Sequence, residues 1–170
     1  MRKFLFLVDS LYLSFILALP NTYFFDKLRC KYYRRKGCDL DSQTSISANV
    51  RVNGYFRMGK GSSIAHNCTL SGFDAGIFIG ENVMIAPNCV LVAFDHGFTD
   101  INIPMSKQKF VQQPITISDD VWIGANCTIT KGVKIGKGVI VGANSCVNKD
   151  IPDYAIVGGV PAKILKYRNT

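Results

Sequence analysis

Aliphatic residues recur at every sixth position along most of this chain. From Leu40 the row runs through Ile46, Val52, Met58, Ile64 and Leu70, slips by three residues, and resumes at Ile79, Ile85 and Leu91. After a long interruption it restarts as Ile117, Ile123, Ile129, Ile135, Val141 and Val147. A helix repeats its apolar face every 3.6 residues and a strand every 2, so neither produces this period. A parallel β-helix does: each six-residue unit makes one short strand and one corner, and stacked coils bury the aliphatic ladder. Fifteen lattice positions at three per coil predict about five coils, a prism roughly 24 Å long at the usual strand spacing.

The corners carry their own signature. Four residues after the ladder positions stand Val50, Cys68, Val83, Cys89, Val121, Cys127, Val133, Val139 and Ser145, small or β-branched side chains suited to a narrow interior angle. Glycine follows the ladder residue at Gly59, Gly80, Gly124, Gly136 and Gly142, and asparagine marks the corners at Asn82, Asn88, Asn126 and Asn144. Both residue types suit tight turns with unusual backbone angles.

Ahead of the lattice lies a different composition. Residues 4–19 read FLFLVDSLYLSFILAL and end at Pro20. A transmembrane span needs about 20 apolar residues, and Asp9, Ser10 and Ser14 interrupt this run. A signal peptide fits the MRK start, but no good small-x-small cleavage site follows. An amphipathic helix is the third reading, with Lys3, Ser10, Ser14 and Asn21 on one narrow polar stripe. Such a helix would either lie in a membrane interface or pack on the β-helix of its own or a neighbouring subunit. The chain thus divides into an apolar and basic helical segment, 1–36, and a β-helix domain, 37–170, with a loop at 97–114 and a C-terminal tail at 152–170.

The net charge of +8 sharpens that division. Residues 1–36 hold Arg2, Lys3, Lys27, Arg29, Lys31, Arg34, Arg35 and Lys36 against Asp9 and Asp26, whereas the repeat domain is nearly balanced. Cations beside an apolar stretch would aid peripheral contact with an anionic membrane if the helix lies in its interface, and their place off the folded body argues against a nucleic-acid surface. Three of the six cysteines fall on interior lattice positions and none forms a CxxC, which reads as small buried fillers in a reducing compartment. The expected location is cytoplasmic, at or near the inner face of the membrane.

A regular scaffold broken once by a long loop carries its chemistry there. Immediately before the loop stands His96, one of only two histidines, in VLVAFDHGFTD. Its unperturbed pKa near neutrality suits a general base.

The segments IGENVMIAPNCVLVAFDH (79–96) and PITISDDVWIGANCTITKGVKIGKGVIVGANSCVNKDIPDYAIVGGVPAKIL (114–165) resemble the hexapeptide-repeat acyltransferases, within them the galactoside, maltose and nodulation sugar O-acetyltransferase branch. The resemblance implies an all-β fold, a left-handed parallel β-helix, and a homotrimer with sites between neighbouring prisms. It also implies acetyl-CoA as acyl donor, with no metal. His96 matches the catalytic base, and Trp122 the tryptophan of the VWIG segment that walls the site. Ala125 matches a residue whose backbone N–H faces the thioester, and Ala143 one that meets the pantetheine arm. Asn148 and Lys149 stand where a Thr-Lys pair approaches CoA, and Lys163 and Lys166 where basic residues meet its phosphates. Asp74 matches a sugar-contacting aspartate. His66 replaces an asparagine of the same pocket, a departure that puts a simple galactoside acceptor in doubt.

The expected reaction is acetyl transfer to a sugar hydroxyl in a surface glycan or glycolipid intermediate, with His96 taking the proton and the Ala125 N–H stabilising the oxyanion. N-acetylation of an amino-sugar nucleotide and acetylation of an antibiotic remain open alternatives, as does a non-enzymatic scaffold. Serine acetylation would need a larger helical domain before the repeats. A zinc site of the three-histidine kind would need one more histidine than the chain has.

Overall fold

The computed structural model describes residues 2–168, with side chains from 7 to 168. The side chains of Arg2 and Lys3, counted above in the basic segment and polar stripe, lie outside the described residues. Helices α1 (Arg2–Ala18) and α2 (Tyr23–Arg35) precede a coil of short parallel strands.

The lattice residues face one another across the coils, in register. The first face carries Leu40, Met58, Ile79, Ile117, Ile135 and Ile151. The second carries Ile46, Ile64, Ile85, Ile123, Val141 and Val157. The third carries Val52, Leu70, Leu91, Ile129 and Val147. All but Val52 are buried, and the corner residues from Val50 to Ser145 fill the interior as their size requires. Two faces therefore reach a sixth rung, one beyond the repeat count. The extra rungs are Ile151, just before the expected C-terminal tail, and Val157 within it: Ala155–Gly158 pairs with the second face and Lys163–Tyr167 folds back antiparallel upon it.

The asparagines behave as expected: Asn82, Asn88, Asn126 and Asn144 all take φ between 54° and 62°. The post-ladder glycines do not. None of the five has a positive φ. They are small because the next coil is close: a Cβ at Gly59 would lie 2.7 Å from the Gly80 carbonyl oxygen, and one at Gly124 2.7 Å from the Ala143 nitrogen.

The helices form an antiparallel hairpin that closes the open end of the coil. In later coils the carbonyls of Ile79, Val83 and Cys89 accept amides from the coil below, those of Gly59, Ser63 and Thr69. The equivalent carbonyls of the first coil, at Leu40, Thr44 and Val50, have no coil beneath them. Arg34 Nε donates to Leu40 O (2.9 Å), Lys27 Nζ to Thr44 O (2.8 Å) and Tyr33 Oη to Val50 O (2.7 Å). An exposed strand edge is thereby satisfied by side chains, as buried backbone groups require. Buried Arg29 locks the hairpin itself, bonding Ile16 O, Leu19 O and Pro20 O at the end of α1 and pairing with Asp26. The packing reading of the N-terminal helix is thus realised within one subunit. Of the cations in 27–36, Lys27, Arg29 and Arg34 are turned inward as donors, and Lys36 pairs with Asp9 at 2.6 Å.

Candidate active site

Two departures from the lattice leave the prism at one corner, between the third face and the first. The strand Thr69–Ile79 holds three more residues than its neighbour Arg51–Met58 spends on the same turn, which bulges Phe73 and Asp74 outward. One coil later the chain leaves as a hairpin, Phe94–His96 paired with Phe110–Gln112. The excursion expected as an open loop from 97 is therefore ordered from residue 94. Its tip is tied by Gln108 Nε2, which donates to Asp100 O and Ile103 O at 2.8 Å each, and by a 3-10 turn at Met105–Lys107.

His96 lies exposed on this hairpin, directly opposite Phe110, with their rings edge to face at 4.6 Å. Phe94 and Phe73 complete an aromatic cluster, with Phe73 and Phe94 4.5 Å apart. Among the described residues no carboxylate or carbonyl bonds the imidazole. Strand alternation turns Asp95 to the other side, where it pairs with Lys131 at 3.0 Å. Asp100 instead accepts the Asn102 amide. The bulge and the hairpin are joined by Gln112, whose Oε1 accepts the Asp74 amide (3.0 Å) and whose Nε2 donates to the Asp74 carboxylate (3.3 Å). Asn148 and Lys149 stand exposed at the same corner, two coils higher.

The other expected residues lie elsewhere. His66, Ala125 and Ala143 occupy equivalent positions at the corner between the second and third faces, together with Ala48 and Pro87. The amides of Ala125 and Ala143 donate to no group among the described residues, while the Ala48 amide, in the capped coil, donates to Asn21 Oδ1 at 2.6 Å. Trp122 projects from the second face, half exposed, in an outward row Met84–Trp122–Ile140–Ile156 that continues to Lys166. At three strand spacings, Trp122 and Lys166 are about 14 Å apart. Lys163 is exposed on the same terminal strand. One chain thus presents the candidate base at one edge and the open amides and apolar stripe at another. No cluster of metal-ligating side chains occurs among the described residues.

The aromatic cluster and the Gln112–Asp74 link were not legible beforehand. Their only signal is the run FDH against FVQ, recognisable as paired strands once the hairpin is known.

Comparison with known proteins agrees with this architecture. Residues 114–149 match the model of the bacterial transferase hexapeptide (six repeats). The chain is 33% identical over 131 residues to WbbJ of Escherichia coli K12, named for an O-acetyl transferase of lipopolysaccharide biosynthesis, over 73% of this chain and 60% of that one. It spans between 31% and 60% of the length of the curated relatives it matches over more than half of itself. The hexapeptide-repeat acetyltransferase VCA0836 of Vibrio cholerae, solved with acetyl coenzyme A, superposes with a TM-score of 0.80 at 29% identity, covering 96% of this chain and 87% of that one. A maltose O-acetyltransferase from Clostridium difficile 630 gives 0.77 at 28% identity, covering 98% and 89%. No helix among the described residues is long and apolar enough to cross a membrane. Repeat lattice, coil and relatives agree, and the chain belongs to the hexapeptide-repeat acyltransferase family.

Proposed function

We propose that this protein is an acetyl-CoA-dependent O-acetyltransferase that modifies a sugar hydroxyl in surface polysaccharide or glycolipid synthesis. It works as a homotrimer, at the cytoplasmic side of the membrane. The observation that carries the reading is the division of the site: His96 on one edge of the prism, the open amides of Ala125 and Ala143 on another. The two sets meet only when the His96 edge of one prism faces the amide edge of its neighbour, as a three-fold ring of prisms allows.

The second edge fits the donor. The outward stripe from Met84 to Ile156 suits an apolar pantetheine arm lying along the prism, with Trp122 beside the thioester and Lys163 and Lys166 near the phosphates at the far end. Ala143 meets the arm through its backbone. Asn148 and Lys149 line the corner beyond. On the acceptor side, Asp74 holds the sugar and His66 shapes the pocket.

His96 takes the proton of the acceptor hydroxyl as its oxygen bonds to the acetyl carbonyl carbon. The Ala125 N–H donates to the oxygen that gathers negative charge. The carbon–sulfur bond then breaks, and His96 returns its proton to the departing sulfur. Atoms and charge balance without a metal or redox partner.

The experiment is labelled acetyl transfer from acetyl-CoA, screened across hydroxyl and amino sugars, with wild type beside His96→Ala. Turnover on a hydroxyl sugar should fall by roughly 10²–10⁴ in His96→Ala, with CoA binding retained. A variant keeping half of wild-type turnover removes His96 from the chemistry, and turnover confined to amino sugars replaces O- with N-acetylation.

A further inference from the structure

The helical hairpin that caps the coil has an outer face that the chain leaves uncovered. On α1, Leu13, Ile16 and Leu17 turn toward the body, whereas Leu7, Val8, Leu11 and Phe15 point away, Leu11 and Phe15 each 62% exposed. On α2, Cys30, Tyr33 and Arg34 face the first coil, and the opposite row reads Phe24, Leu28, Lys31, Arg35 at helical spacing. Phe24 is 70% exposed, and with Lys27, Leu28 and Lys31 it lines a shallow cavity of about 250 Å³. Each row lies on the exposed side of its helix, in the hairpin that caps the end of the prism.

The charges on this surface are of one sign. Lys27, Arg29 and Arg34 are spent on carbonyls of the coil and of α1, and Lys36 on Asp9. Lys31 and Arg35 remain outward, exposed at the rim of the apolar patch. The hairpin's two acids are both engaged, Asp9 by Lys36 and Tyr32, Asp26 by Arg29 and Ser45. A second copy seated on this face would bring two cationic rims together with no free acid to meet them. Prisms packed side by side cover flanks, not ends.

We propose that the outer face of the hairpin docks on an anionic lipid surface, with Leu7, Leu11, Phe15 and Phe24 entering the acyl boundary and Lys31 and Arg35 meeting lipid phosphates. Because the face is axial, a ring of parallel prisms presents all its copies on one side, and weak single contacts combine. The proposal is independent of the acceptor and of the catalytic roles, since vesicle binding reads the helices alone.

Removing the helices is a poor test, because it uncaps the coil. The full chain should instead be floated with vesicles of phosphatidylcholine, alone or mixed with phosphatidylglycerol. Wild type should float with the mixed vesicles and release as salt rises. Leu11→Glu/Phe15→Glu should weaken binding by about tenfold or more with melting temperature and assembled mass unchanged. Lys31→Glu/Arg35→Glu should abolish the preference for the anionic mixture. No flotation of wild type, or flotation indifferent to both variants, overturns the proposal. So does a fall in assembled mass with Leu11→Glu/Phe15→Glu, which makes the face a contact between copies. Should that pair melt early, the charge-reversed pair decides alone, since both its residues are exposed.

Discussion

A histidine without a polar neighbour must be held by something else, and for His96 it is a ring. The edge-to-face contact with Phe110 restricts the imidazole, and the Phe73–Phe94 pair backs Phe110 in turn. Phe110→Leu should therefore lower kcat by roughly tenfold, the rate attached to about 1.4 kcal/mol of lost positioning, with little change in KM for acetyl-CoA. Phe110→Tyr, which keeps the ring, should restore most of it. Equal loss in both variants removes the ring from the argument. The chain's two histidines could be found by composition alone, but the ring beside His96 lies 14 residues away in sequence and no period connects them. At the glycines the residue type was informative and the reason differed: at Gly59, Gly80, Gly124 and Gly136 the neighbouring coil lies where a Cβ would stand, although the backbone angle is ordinary.

Among the elements, the capping hairpin was the least legible. Lys27 and Arg34 read as surface charges because sequence shows no sign of the carbonyls beneath them, whereas the coil itself was plain because its ladder repeats in phase. Tyr33→Phe deletes the donor to Val50 O while keeping the ring, so a buried carbonyl loses its partner. The cost should be about 1–3 kcal/mol, a drop of about 2–4 °C in Tm per kcal/mol for a chain of this length. A melt unchanged by this substitution would mean that water serves the carbonyl equally well. The same element should respond to alkali. Burial, and then the adjoining Asp9 carboxylate, push the Tyr32 phenol up to about 12. Its unfolded value is near 10, so the folded state favours the neutral form. That contribution is complete below pH of about 10 and is lost as pH rises toward about 12. Tyr32→Phe should flatten the fall in Tm over that window.

For the whole molecule, the proposed sharing of one site between two edges makes an arithmetical prediction. Pro87 already occupies, one coil lower, the position of Ala125, so Ala125→Pro removes the amide donor with a backbone that the fold tolerates. His96→Ala and Ala125→Pro chains should each be nearly inactive. Mixed at equal amounts, they should recover about one quarter of wild-type activity, because a shared site is intact only when each neighbour supplies its unaltered edge. Light scattering should give about three times 18.8 kDa for the assembly. No recovery on mixing would confine the site to one chain.

The spacing of the rungs also gives the molecule a mechanical fingerprint. The second-face rungs at Val157, Val141, Ile123, Ile85 and Ile64 stand 16, 18, 38 and 21 residues apart. Under tension applied at the C-terminal end, coils should detach in that order. An ordinary coil lengthens the tether by about 60 Å, and the one that carries His96 by about 130 Å. A pulling trace would thus mark the coil that carries His96 as its longest step, and show which part of the prism still holds when that coil gives way.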